Sequence, residues 1–174
     1  MTARALSAAA LIGAVSGLRS QLGVAAAALT VGPAETSRPA AALGGTRVTV
    51  GTAVLSAAEL AADKWPVVPS RLGAGPLGLR MAAGGFAATV LASRGAAHDG
   101  RRPDRNTPAL TLAATAAVGA VAALGAAFAG ARWRALAARD GRPDWPAALA
   151  EDAVALALAG AACGVAPGAA PARR

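Results

Sequence analysis

The chain has no tyrosine, two phenylalanines, one cysteine and one histidine in 174 residues, and only nine acidic side chains against seventeen basic ones. Each shortage removes a class of function. A single thiol, Cys163, forms neither an intramolecular disulfide nor a thiolate ligand set, so redox chemistry and cysteine-based metal binding are not expected. The lone histidine, His98, precedes Asp99 and so supplies two thirds of a nucleophilic triad, but in a polar connector it reads as a solvated loop residue. No serine-lysine or paired-aspartate arrangement lies in the apolar stretches, so neither an enzyme nor a cofactor or metal site is expected. With aromatics at 3%, a stacking platform for single-stranded nucleic acid is missing. The net charge of +8 is spread over every connector rather than clustered, and no nucleic-acid partner is expected.

What the chain does have is apolar mass. Hydrophobic residues make up 55% of it, the mean hydropathy is +0.48, and alanine is the commonest residue. The apolar residues come in five blocks, Leu6 to Leu29, Thr46 to Asp63, Leu77 to Ala97, Pro108 to Ala131 and Pro146 to Ala166. Arginine- and proline-rich connectors separate them, which is the layout of membrane spans and loops. A spanning segment satisfies its own backbone hydrogen bonds, so helix is the default in each. The expected fold is all-α: an integral membrane helical bundle of about five apolar helices, four full spans plus a short second helix that spans or re-enters. Residues 1–166 form one membrane-embedded domain, and the Pro-, Gly- and Ala-rich tail 167–174 is expected to be disordered.

Punctuation fits these limits. Gly32-Pro33 closes the first block, Pro66 stops the second, Asn106-Thr107-Pro108 resembles a helix cap with proline in the first turn, and Trp145-Pro146 opens the fifth. Arg19 and Gln21 interrupt the first block, so it reads as a retained span rather than a cleaved signal. Trp65, Trp133 and Trp145 all fall at block ends, where interfacial anchors are expected. Gly13 with Gly17, and Gly160 with Gly164, have the Gly-x-x-x-Gly spacing of close helix packing, but in so small-residue-rich a chain they specify no particular dimer. Basic residues divide eight to eight between alternate connectors of a five-span chain, so charge leaves the orientation open.

Charges inside the blocks are the discriminating feature. Arg19 would sit near the middle of the bilayer, at a cost of roughly 2.5 to 3.5 kcal/mol on insertion scales. Glu59 precedes Trp65 by six residues, about 9 Å along a helix, too deep for its short side chain to reach water. Asp63 lies one turn later on the same face, close enough to the interface to be solvated. Glu151 and Asp152 occupy the first turns of the last block and diverge by about 100°, so one of them is expected to face the interior. Structurally, Arg19 pairs with Glu59 or Glu151 and Asp152 favours its helix N-terminus. Functionally, the same groups line a hydrated cavity in which a carboxylate takes a proton or coordinates a cation. Lys64, Trp65, Arg71 and Arg80 read as interface and headgroup residues.

Gly17-Leu18-Arg19-Ser20, Ala58-Glu59-Leu60 with Asp63-Lys64 and Pro66, Pro69-Ser70-Arg71, Arg80 with Gly84, and Glu151-Asp152-Ala153-Val154-Ala155 together resemble the bacterial membrane-protein family catalogued as domain of unknown function 4126. The resemblance spans residues 5 to 165 and implies an all-helical inner-membrane protein of uncharacterised activity. Two features depart from the family pattern: Gln21-Leu22-Gly23 where a proline is expected nearby, and a longer, more charged connector from Arg94 to Arg105. Glu59-Leu60-Ala61-Ala62-Asp63-Lys64 is also similar to the Glu-x-Gly-Asp-Lys signature of cation/proton exchangers, though its acids are four apart rather than three. Gly17-Leu18-Arg19 and Gly130-Ala131-Arg132, each followed in the next block by a glutamate, would mark two related halves.

The expected function is therefore a small ion- or proton-coupled transporter or channel of the bacterial cytoplasmic membrane, with Glu59 as ligand and Arg19 as counter-charge. The alternative is a structural or interaction membrane protein, an accessory subunit or lipid-organising bundle with a buried Arg-Glu pair and no transport. The expected partners are the lipid bilayer, anionic headgroups and a second copy of the chain.

Overall fold

In the computed structural model the described residues are 2–32, 35, 37, 39–62, 72–98, 109–139, 143 and 145–164, with the backbone alone for 95–98. Among them the fold is all α-helix with no strand: α1 Ala3–Leu18, α2 Ser20–Leu29, α3 Ala40–Leu43, α4 Thr46–Ala62, α5 Ala74–His98, α6 Ala109–Ala137 and α7 Trp145–Cys163. Two of these, α6 with 29 residues and α7 with 19, are long and apolar enough to cross a membrane. The tail 167–174 lies outside the described residues.

The first apolar block is not one helix. Arg19 takes an extended conformation, φ −139° and ψ 106°, and is at once the C-cap of α1 and the N-cap of α2. The chain reverses there. Gly23 lies so close to α1 that a Cβ on it would meet the Ile12 carbonyl and the Ser16 hydroxyl. In an unbroken helix Ile12 and Gly23 would be about 16 Å apart. Gly17 and Ser20, the small residues flanking the break, are the local reason it forms here, since Gly and Ser pairs are common sites of helix interruption.

The other helices pack around this hairpin in alternating directions. Ala9 and Ile12 of α1 share a cluster with Ala87 and Ala88 of α5 and Ala162 of α7, while Val15, Leu18 and Leu22 pack with Ala155 and Ala159. Helix α7 thus runs antiparallel to α1. Ala27 and Ala28 of α2 meet Ala40, Leu43 and Val90, so the short α3 wedges under the far end of α2. Helix α4 lies on the periphery, touching chiefly α2.

Small residues let these helices approach closely. A Cβ on Gly13 would collide with the backbone of Gly119, one on Gly17 with the Ala123 carbonyl, and one on Gly119 with the Gly84 carbonyl. The Gly13/Gly17 pair is therefore used inside the chain, between α1, α5 and α6. Gly164 has a different job: with φ +72° and no neighbour within 4 Å it stops α7 in the left-handed region that glycine adopts without strain.

Polarity is partly inverted. The largest fully buried side chain is Arg19, whereas Leu110, Val121 and Phe128 of α6, Val54 and Leu55 of α4, and Val154 and Leu156 of α7 are exposed. The connector read from Arg132 onward begins later than its charge suggests, because α6 continues to Ala137 through Arg, Ala and Leu, all good helix formers. His98 likewise closes α5 rather than standing in a loop, and Asp99 lies outside the described residues.

Candidate functional site: a charged layer at the helix break

Breaking a helix inside an apolar bundle strands backbone groups: the last carbonyls of α1 and the first N–H groups of α2 lose their partners. Side chains from two other helices, α4 and α5, supply them. The Glu59 carboxylate of α4 accepts from Ser20 N at 2.8 Å, Ser20 Oγ at 2.7 Å and Gln21 N at 2.8 Å. On the other side of the break, Arg80 of α5 donates from one terminal nitrogen to the Gly17 carbonyl at 2.7 Å and the Leu18 carbonyl at 2.9 Å. Leu22 N donates back to the Arg19 carbonyl at 3.2 Å, and Arg19 N to the Val15 carbonyl at 2.8 Å. An anion at the start of α2 and a cation at the end of α1 both complement the helix dipoles.

The side chain of Arg19 turns to α7. Its Nε donates to Asp152 Oδ1 at 2.7 Å, Nη2 stands 2.5 Å from the same oxygen, and Nη1 is 3.6 Å from Glu151 Oε1. Glu151 also faces Arg134 of α6 at 3.8 Å, and Arg80 reaches Glu59 at 3.5 Å. The described ion pairs thus join three guanidinium groups, Arg19, Arg80 and Arg134, to three carboxylates, Glu59, Glu151 and Asp152. Arg19, Glu151, Arg80 and Asp152 are buried, and Glu59 is the most open of the six, its side chain 18% exposed.

The reversal of the chain also sets the depth of this layer. Glu151 is six residues from Trp145 at the start of α7, and Arg80 six from Ala74 at the start of α5, so the layer lies about 9 Å inside one rim of the bundle. It is not at mid-height, where a single uninterrupted first helix would have put Arg19.

Several sequence expectations are altered by this geometry. Of the two partners expected for Arg19 the structure pairs it with Glu151 and not with Glu59, and it adds Asp152. Both Glu151 and Asp152 are buried although they diverge around α7, because the Arg19 guanidinium reaches both and Arg134 also faces Glu151. Arg80 is not a headgroup residue: it is 7% exposed and engaged with backbone carbonyls and Glu59. Asp63, Lys64, Trp65 and Arg71 lie outside the described residues.

Two arginines escaped the sequence reading. Arg134 was hidden in what looked like a connector. Arg94, fourteen residues after Arg80 and about four turns further along the same face of α5, closes the opposite end of α2. It donates to Thr30 Oγ1 at 3.0 Å, to the Ala27 carbonyl at 3.3 Å and to the Thr30 carbonyl. Cys163 Sγ donates to the Ala26 carbonyl at 3.7 Å, so the thiol serves the same helix end.

Among the described residues no group of three or more His, Cys, Asp or Glu is placed to hold a metal ion. An open apolar groove of about 430 Å³, lined by Met81, Gly85 and Phe86 of α5 and Ala116, Ala117 and Ala120 of α6, lies on the outer surface away from the charges. Comparison with protein-family models, with curated proteins and with solved structures finds no match.

Proposed function

We propose that the chain is an integral protein of the bacterial cytoplasmic membrane, of the kind gathered in the family of unknown function 4126, and that its charged layer serves proton- or ion-coupled transport. The observation that carries this reading is the α1–α2 break at buried Arg19, with carboxylates from α4 and α7 converging on it. Interrupted helices and ionisable groups are expensive in an apolar bundle, and in membrane proteins they mark substrate and proton paths. The apolar outer faces of α4, α6 and α7 support the membrane setting.

Within this reading Glu59 is the group that exchanges protons or cations. It is the most exposed of the six charges and sits on the peripheral helix α4, so it leaves its partners with the least rearrangement. Arg19, held between Asp152 and Glu151, is the fixed counter-charge. No covalent chemistry is assigned to the site.

A second reading is favoured by the way the described charges are engaged. Among the described residues, guanidinium groups and carboxylates tied to a helix end or to one another are what a purely structural clasp would need. Proteoliposomes separate the two. Transport predicts pH-gradient-driven ion flux that Glu59→Gln abolishes. Equal flux in both proteins, or none in either, sinks it, and lowered stability with no flux to lose identifies the clasp.

A further inference from the structure

The rim above the charged layer carries side chains that neither reading uses. Arg132 and Leu136 lie at i and i+4 on one face at the end of α6, Arg139 follows two residues after its last residue, and all three are exposed. Trp133 beside them is half exposed, and its indole Nε1 donates to the Ala147 carbonyl in the first turns of α7 at 3.4 Å. This contact brings the exposed Trp145 and Leu149 of α7 to the same rim. The two helices that meet here are the two long and apolar enough to cross a membrane.

We infer that this rim is a binding surface for anionic phospholipid headgroups, with Arg132 and Arg139 holding the phosphate and Trp133 and Trp145 seated at the headgroup level. The chemistry singles out that occupant. Indoles with one apolar edge and one polar edge prefer the boundary between hydrocarbon and water, and exposed leucines between them need an apolar phase beside the charges. A soluble phosphate or nucleic acid would meet the arginines but leave Leu136 and Leu149 in water. Unlike Arg134, which faces Glu151, Arg132 and Arg139 are exposed and enter none of the described ion pairs, which leaves their charge accessible at the surface.

This inference rests on the membrane reading, and the test keeps the two apart. The Trp65→Phe protein is reconstituted into nanodiscs so that Trp133 and Trp145 are the only emitters. Its fluorescence is measured with brominated phosphatidylglycerol or brominated phosphatidylcholine at equal mole fraction. Quenching by the anionic lipid is expected to exceed that by the zwitterionic lipid by roughly threefold or more, since each arginine near a headgroup enriches anionic lipid several-fold. Arg132→Gln with Arg139→Gln removes the excess and leaves quenching by the zwitterionic lipid. Equal quenching by both lipids, or an excess that survives the double substitution, overturns the headgroup assignment alone. A protein that does not enter nanodiscs and is quenched by neither lipid overturns the membrane reading with it.

Discussion

Arg19 and Asp152 stand 133 residues apart in the chain, yet two nitrogens of the one guanidinium converge on Oδ1 of the other, at 2.7 and 2.5 Å. The contact joins the break between α1 and α2 to the second turn of α7. Almost every other polar contact in the charged layer follows from that break.

Removing Arg19 takes a guanidinium partner from two buried carboxylates, Asp152 and Glu151, while Arg134 still faces Glu151. Arg19→Leu is expected to cost about 3 to 5 kcal/mol, the range for stripping one partner from a buried pair. Arg19→Lys recovers only part of this, because an ammonium cannot present the planar fork that meets Asp152 and Glu151 together. Adding Asp152→Leu to Arg19→Leu should return some stability. Unfolding of the detergent-solubilised variants by heat or denaturant measures all three.

Glu59 makes the N-terminus of α2 dependent on α4. Glu59→Ala leaves the Ser20 and Gln21 amides without acceptors, a loss of about 1 to 2 kcal/mol by analogy with a lost helix cap. Glu59→Gln restores one acceptor but not the second, and it removes the charge that faces Arg80. Hydrogen exchange at Ser20, Gln21 and Leu22 should therefore quicken in the order wild type, Gln, Ala, while exchange in the middle of α6 stays unchanged. Uniform quickening across the bundle would show that the carboxylate is not a local cap.

Glycine positions divide by what lies opposite. Gly13→Ala and Gly119→Ala push a methyl group into the backbone of a neighbouring helix and should each cost about 1 to 3 kcal/mol or more. Gly125→Ala meets nothing within 4 Å and gains helix propensity, so it should leave stability unchanged or raise it by up to about 1 kcal/mol. Equal effects at all three positions, read by thermal unfolding, would contradict the close α1–α5–α6 packing.

How much of this was legible in the sequence varies with the kind of signal. Helix content followed from apolar blocks bounded by Pro and Gly, and the burial of Arg19 and of one of the Glu151-Asp152 pair followed from the cost of charge in an apolar segment, whereas the structure buries both acids and leaves Glu59 partly open. The pairing did not follow. From Leu6 to Leu29 the residues are apolar on every side, so periodicity cannot say whether the chain continues or turns back at Arg19. Once the turn is known, Arg19 must face α7 and Glu59 must find α2. The inward roles of Arg80, Arg94 and Arg134 are not legible because an arginine near a block end looks alike whether it snorkels outward or reaches inward to a carbonyl. Gly17 and Ser20 were the available clue, and they support a break without giving its direction.

The hairpin at Arg19 carries the rest of the account, and a distance between its arms tests it most directly. Spin labels at Ser7→Cys on α1 and Leu29→Cys on α2, both exposed, can be placed in a Cys163→Ala background and measured by pulsed dipolar spectroscopy. Folded back, with helices packed about 8 to 10 Å apart, the two labels should lie within about 20 Å of each other. A single unbroken helix would separate them by about 33 Å. A distribution centred near the longer value would contradict the break and the charged layer built on it.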